Sequence, residues 1–248
     1  MKELHFLLIL VAILSFAACS KKQDALALLN TRSDSLIASV EKRLDEKREL
    51  LRLKTDLESS ALGKSISKYK PIIKKYAKRY GFDWRLIVAQ IAQESGFKEK
   101  ARSRVGASGL MQLMPRTAKE ISHELDINYI MKNPRENITA GIYHLKKQMR
   151  YFPDSPFNDQ TQLALASYNC GAGRIFDAQS IAEYYKQASN RWMYVKPYLS
   201  TLKHSDWELH LQVWPDGKPK YGYFYGYNET INYVDRIWDT YKIYKVIL

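Results

Sequence analysis

From Ser33 to Ser59 the chain is polar and densely charged, without Gly or Pro, and Leu36, Val40, Leu44, Leu51 and Leu57 recur mostly at intervals of three, four and seven. That spacing predicts a solvated amphipathic helix, with Ser33 or Asp34 as its N-cap. Upstream, Phe6–Leu14 is apolar at every position and too short to cross a bilayer, which takes roughly 18 residues or more. Beyond Lys68 the punctuation becomes that of short packed helices. Lys70-Pro71 reads as a start and Gly81 as a stop, with Ile72, Ile73, Tyr76 and Tyr80 turned inward. Asp83 is placed to cap Trp84–Glu94, a segment apolar on nearly every side and therefore expected at the domain centre, with Ser95-Gly96 ending it. Gly106-Ala107-Ser108-Gly109 reads as a loop, and Pro115 as the first position of a helix reaching Leu125. Asn137 is expected to cap a helix carrying Ile138, Ile142, Leu145 and Met149. Further helices are expected over Asp159–Asn169, closed by Gly171, over Asn190–Leu202 and over Glu229–Tyr244. One stretch differs: Glu208–Val213 alternates, Pro215-Asp216-Gly217 turns, and Tyr221–Tyr227 is aromatic, which predicts a small β-hairpin. The expected fold class is mainly α, a globular helical domain with that hairpin, preceded by a helical spacer.

Charge and the N-terminus narrow the function classes. The chain has 248 residues, 39 Lys plus Arg against 26 Asp plus Glu, a net charge of +13, and 46% hydrophobic residues. A disordered chain is excluded, and one domain with appendages fits the length. Two cysteines, Cys19 and Cys170, exclude a disulfide framework and a Cys-rich metal site. The basic balance points to an anionic partner. Lys2, the apolar run and Ala17-Ala18 form the charged start, hydrophobic region and small-residue cleavage site of an export signal. Phe16-Ala17-Ala18-Cys19 resembles a bacterial lipobox, although Phe16 and Glu3 depart from the usual pattern. The resemblance implies that Cys19 is lipidated and becomes the mature N-terminus. The expected organisation is a signal peptide over 1–18, a lipid-anchored charged spacer over 19–64 and a working domain over 65–248. Export makes nucleic acid an improbable partner, and the charge is assigned instead to anionic lipid or wall polymer. The expected location is the cell envelope, at the periplasmic face of the outer membrane. The short apolar seam of the spacer offers weak self-association.

Glu94 is the candidate for chemistry. It closes an otherwise apolar helix, where burial and the negative end of the helix dipole both disfavour its charged form. A carboxyl kept protonated near neutral pH is a general acid; the same residue turned out to water would be an ordinary helix-end glutamate. The five histidines form no metal-binding motif, so no metal or other cofactor is expected, and Cys170 reads as a buried free thiol. Aromatic residues are plentiful from Tyr184 to Tyr244, and part of them suits a sugar groove.

The residues around Glu94 carry a resemblance. Glu94-Ser95-Gly96-Phe97, Ala101-Arg102-Ser103, Gly106–Ala118, Ser167–Gly173 and Glu229–Val234 resemble, in order, the blocks of the soluble lytic transglycosylase (SLT) domain. The Asp83-Trp84 entry and Tyr221-Gly222-Tyr223 look most like the catalytic half of the membrane-bound lytic murein transglycosylase F family. This implies a lysozyme-like fold and cleavage of peptidoglycan glycan strands between N-acetylmuramic acid and N-acetylglucosamine, leaving 1,6-anhydro ends. Residue by residue, it implies Glu94 as the single acid/base, Ser95 and Ser103 as its polar neighbours, and Met111 and Gln112 as the loop touching glycan. Tyr168 and Asn169 would form the groove floor, Tyr233 would stand near the carboxylate, and Glu229 on the substrate side. Ser167 departs from the family's usual Ala. Two alternatives stay open: a goose-type-lysozyme-like muramidase that hydrolyses the same bond with a second carboxylate, and a wall-binding lipoprotein without catalysis.

Overall fold

The computed structural model describes the backbone of residues 2–248 and the side chains of residues 31–248. The expectations for the signal peptide and for Cys19 therefore fall outside the residues whose side chains are described. By internal contacts the chain divides into two units, one ending at Thr55 and one covering Asp56–Leu248.

The first unit is the body of a single helix, α1 (Lys2–Ser59). It runs through Ser33 and Asp34, so neither is an N-cap. Leu36, Val40, Leu44 and Leu51 are all exposed along it. Among the described residues no helix is long and apolar enough to cross a membrane.

The second unit is built from α2 (Ala61–Tyr80), α3 (Trp84–Ser95), α4 (Pro115–Leu125), α5 (Pro134–Met149), α6 (Phe157–Cys170), α7 (Ala172–Tyr184), α8 (Trp192–Val195), α9 (Trp207–Val213) and α10 (Tyr227–Ile247). Helix α3 is the centre: Leu86 through Ile91 are all buried, between α10 on one side and α2 on the other. Asp83 caps it as expected, accepting from the Arg85 N–H at 2.9 Å. Helix α6 packs on α5, α7 and α10 and completes the main core. A smaller cluster of Leu113, Ala118, Ile121, Ile130 and Ala140 holds α4 against α5.

Four local expectations are corrected. Pro71 lies inside α2 rather than at its start, because the apolar series Ile66, Tyr69, Ile73, Ala77 continues through it and Ser60 caps the helix by accepting from the Gly63 N–H. Pro71 and Ser67 are both exposed, so the carbonyl that loses its proline partner faces water. The boundary expected at residue 65 thus falls inside a helix. Asn137 is not a cap either. Asn133 caps α5, with Pro134 at the first position, and Asn137 is buried one turn further along. Helix α7 was not foreseen, because Gly171 reads only as the stop of the preceding helix. Gly173 is helical and small for packing: a Cβ there would stand 2.5 Å from the Tyr221 ring.

The hairpin is absent as well. Residues 207–213 are helical, and the side chain they bury is His210, whose Nε2 pairs with the Thr201 carbonyl at 2.8 Å. Leu211, which the alternating pattern would bury with Leu209 and Val213, is 59% exposed. The Tyr221–Gly226 segment runs to α10 without a strand partner, and its polar groups are satisfied singly. The Tyr221 N–H donates to Asp177, the Phe224 N–H to the Leu202 carbonyl, and Arg174 donates to the Gly222 carbonyl.

Candidate active site

The end of α3, the loop 101–114, the end of α6 and the first turns of α10 enclose a cavity of about 310 Å³. Glu94, Ser103, Gln112, Tyr168, Asn169, Glu229 and Tyr233 all line it, and Gln93, Val105, Ala107 and Met114 complete the wall. A larger hollow of about 420 Å³ lies between α4 and residues 128–132, but no carboxylate lines it.

Glu94 sits in the last turn of α3, where Gly96 ends the helix in the left-handed conformation. Burial pushes its carboxyl up from 4.5 to about 8, against the opposing effect of a hydrogen bond from Tyr233. The side chain is therefore mostly protonated at neutral pH while still facing the cavity. The Tyr233 hydroxyl donates to Glu94 Oε1 at 2.6 Å. Burial and the neighbouring carboxyl hold the phenol well above its usual range, so Tyr233 orients Glu94 and does not itself ionise. The amide of Gln90, one turn before Glu94, donates in turn to the Tyr233 oxygen at 3.2 Å.

The loop opposite is compact because it bonds to itself. The Ser103 N–H donates to the Ala107 carbonyl, and the Ala107 N–H donates to Ser103 Oγ, both at 2.9 Å. Gln112 has φ 45°, in the left-handed region, and its side-chain amide donates to the carbonyls of Ala101 and Gly109. Asn137 clamps the loop from α5: it accepts from the Met111 N–H at 2.8 Å and donates to the carbonyls of Ser108 and Ile130. Gly109 is required at this clamp. Its φ is +85°, and a Cβ would lie 2.4 Å from the Asn137 amide.

Ser95 and Met111 take other places than the cavity wall. Ser95 Oγ donates to the Leu110 carbonyl at 2.9 Å, tying the end of α3 to the loop, with the Ile91 carbonyl of its own helix at 3.2 Å as the alternative acceptor. The Met111 side chain is wholly buried; what it offers the site is its carbonyl, which accepts from the Tyr168 hydroxyl at 2.7 Å. Tyr168 is held so at the cavity floor, with the His144 ring edge-on against it. Burial pushes His144 down to about 4, so it stays neutral. Asn169 accepts from the Thr230 hydroxyl through Oδ1, and its amide nitrogen has no partner among the described residues. Glu229, at the start of α10, is exposed on the cavity rim. Cys170 is half-buried rather than buried, and burial lifts its thiol to about 11.

Sequence reasoning missed Gln90, Asn137 and Thr230 as contributors. Gln90 carried a readable signal, since an amide within the apolar body of the helix, four residues before Glu94, shares its face. Asn137 was misread because asparagine suits helix caps. Thr230 had no signal beyond its place in a motif.

Residues 71–193 match the family model of the Transglycosylase SLT domain. A membrane-bound lytic murein transglycosylase F of Desulfosudis oleivorans is 38% identical over 182 residues, which are 73% of this chain and 37% of that protein. The protein of the same name from Shewanella pealeana is 34% identical over 230 residues, 91% of this chain and 42% of it. The chain thus spans less than half the length of these relatives. Among solved structures, the lytic transglycosylase Slt of Pseudomonas aeruginosa matches at 30% identity and a TM-score of 0.45, over 71% of this chain and 24% of that one. With the motif blocks gathered round one cavity and this run of sequence similarity, the chain belongs, through residues 71–193, to the Transglycosylase SLT domain family.

Proposed function

We propose that this chain is a peptidoglycan lytic transglycosylase that cleaves the β-1,4 bond between N-acetylmuramic acid and N-acetylglucosamine. The observation that carries the reading is the placement of Glu94, a carboxyl held by Tyr233 and lining a groove, with burial pushing its pKa up to about 8. Glu94 gives its proton to the glycosidic oxygen as the C1–O bond breaks. The substrate's own N-acetyl group stabilises the developing positive charge at C1. The carboxylate so formed then takes the proton of the C6 hydroxyl, and O6 closes on C1 as a 1,6-anhydro ring. Glu94 ends protonated, and no water is consumed. Around it, Asn169, whose amide nitrogen has no partner among the described residues, and Glu229 on the rim are suited to hold sugar hydroxyl and acetamido groups, while Tyr168 and Gln112 shape the groove between them.

The same reading places the chain in the cell envelope. Cys19 is the lipidated residue at the end of a signal peptide over 1–18, the charged part of α1 is a spacer, and the anchor lies in the outer membrane facing the periplasm. The exposed Leu36, Val40, Leu44 and Leu51 supply a seam for weak self-association of that spacer.

One observation favours a second reading: Glu229 lines the same cavity as Glu94. If Glu229 activated water, the bond would be hydrolysed. Mass spectrometry of the muropeptides released from purified sacculi separates the two. Anhydro products, one water lighter than the hydrolysed ones, are expected; hydrolysed products would replace the first reading with the second, and no release at all would leave a binding protein.

A further inference from the structure

Gln90 is wholly buried in the middle of α3, among Ile87, Val88, Ala89 and Ile91. Its Nε2 donates to the Tyr233 hydroxyl at 3.2 Å, and its Oε1 is buried with no partner among the described residues. A buried carbonyl left unpaired destabilises a core, so packing alone would favour an apolar side chain at this position. The amide therefore has to be explained by the one bond it makes.

That bond has a directional consequence. A tyrosine hydroxyl has a single hydrogen. With a Gln90 N–H on its oxygen, that hydrogen points at Glu94 Oε1, the contact seen at 2.6 Å. Oε1 is then an acceptor in both states of the carboxyl. The acidic proton then sits on the other oxygen, Oε2, which has no hydrogen-bond partner among the described residues and belongs to a side chain lining the cavity. The opposite amide orientation would draw the Tyr233 hydrogen toward Gln90 and leave Glu94 without its donor once the proton has been given up and the side chain is a carboxylate.

We propose that Gln90 is a positioning residue for the reaction: it holds the Tyr233 hydroxyl as a donor to Glu94 Oε1 and so keeps Oε2 as the oxygen that delivers and retrieves the proton. The inference rests on the lytic reading of this site. Gln90 touches no substrate and acts only through Tyr233.

The test is Gln90→Met, close in shape and without an amide, assayed on sacculi alone and combined with Tyr233→Phe. With Gln90 intact, kcat is expected to exceed that of Gln90→Met by about tenfold, a fraction of the 10²–10⁴-fold range of acid–base groups, while KM stays within about twofold. The alkaline limb of the pH profile is expected to move upward, because a hydroxyl that no longer accepts from Gln90 is a weaker donor to the carboxylate. In the Tyr233→Phe background, Gln90→Met should have no further effect on kcat. An unchanged kcat and pH limb in folded Gln90→Met, or an equal loss with and without the Tyr233 hydroxyl, would overturn the proposal. Should Gln90→Met fail to fold, Gln90→Asn, whose amide is too short to reach Tyr233, carries the same comparison. Glu94→Gln assayed alongside separates the two possible failures: if it keeps wild-type turnover, the lytic reading itself is wrong; if it is inactive while Gln90→Met behaves as wild type, only the role of Gln90 is.

Discussion

Tyr233 and Glu94 stand 139 residues apart in the chain, and the hydroxyl of one lies 2.6 Å from the carboxyl of the other. The contact joins the C-terminal helix α10 to the end of α3, the two helices that form the centre of the domain. It carries two consequences of opposite sign. The hydrogen bond lowers the Glu94 pKa, and the burial that the same packing imposes raises it; burial is the larger effect.

Glu94→Gln keeps the shape of the side chain and removes the exchangeable proton. Turnover is expected to fall by at least about 10²–10³-fold with the fold retained, measured as release of muropeptides from sacculi. Solubilisation at the wild-type rate would remove Glu94 from the chemistry.

The pH dependence follows from the sign of the shift. The folded chain keeps a proton on Glu94 up to about 8, while the unfolded chain releases it near 4.5. Stability should therefore decline as pH rises through that window, and kcat/KM should fall above about pH 8 as the acid is lost. Glu94→Gln abolishes the decline, so relative to wild type it should gain at least about 1 kcal/mol between pH 5 and pH 9 in urea unfolding. An identical pH slope in the two proteins would contradict the desolvated carboxyl.

Tyr233→Phe deletes one hydroxyl and little volume. A stability change of about 1 kcal/mol is expected, with a fall in single-turnover rate that exceeds the fall in glycan affinity. Loss of affinity alone would make Tyr233 a groove wall and not an orienting group.

Asn137→Ala removes three hydrogen bonds at once, two of them to the loop that faces Glu94 and one to Ile130. A destabilisation of about 2–4 kcal/mol is expected, since buried backbone groups lose their partners, together with weaker glycan binding. Denaturant midpoints and glycan titration check both parts. A neutral effect on each would mean that the loop holds its shape through its internal bonds alone.

Cys19→Ala tests the anchor independently of the cavity. The variant should take up no labelled fatty acid and should retain its activity on sacculi after purification. Continued labelling would place the lipid elsewhere or nowhere near residue 19.

How much of this was legible beforehand differs by element. The body and cap of α3, the proline start of α4 and the stop at Gly96 were readable, because capping, proline geometry and glycine conformation act within a few residues. The start of α2 and the cap of α5 were misplaced, because each had two plausible local signals and only packing chose between them. The hairpin expected near Leu209 failed for a similar reason. Alternation of polar and apolar residues over six positions is weak evidence, and burial of His210 against Thr201, Trp214 and Tyr223 outweighed it.

By itself the sequence determined that a carboxyl would end an apolar helix and that the domain would be helical around it. Periodicity and end signals are local properties, and a chain of this composition has few other ways to bury its apolar faces. Tertiary structure alone decided which groups surround that carboxyl. It set Tyr233 against Glu94, Gln90 behind Tyr233, Asn137 beneath the loop, and the Met111 side chain in the core with its carbonyl turned to Tyr168. These contacts depend on how α3, α5, α6 and α10 pack together. Packing minimises exposed apolar area and unpaired polar atoms over the whole core at once, so it leaves no trace in the spacing of neighbouring residues.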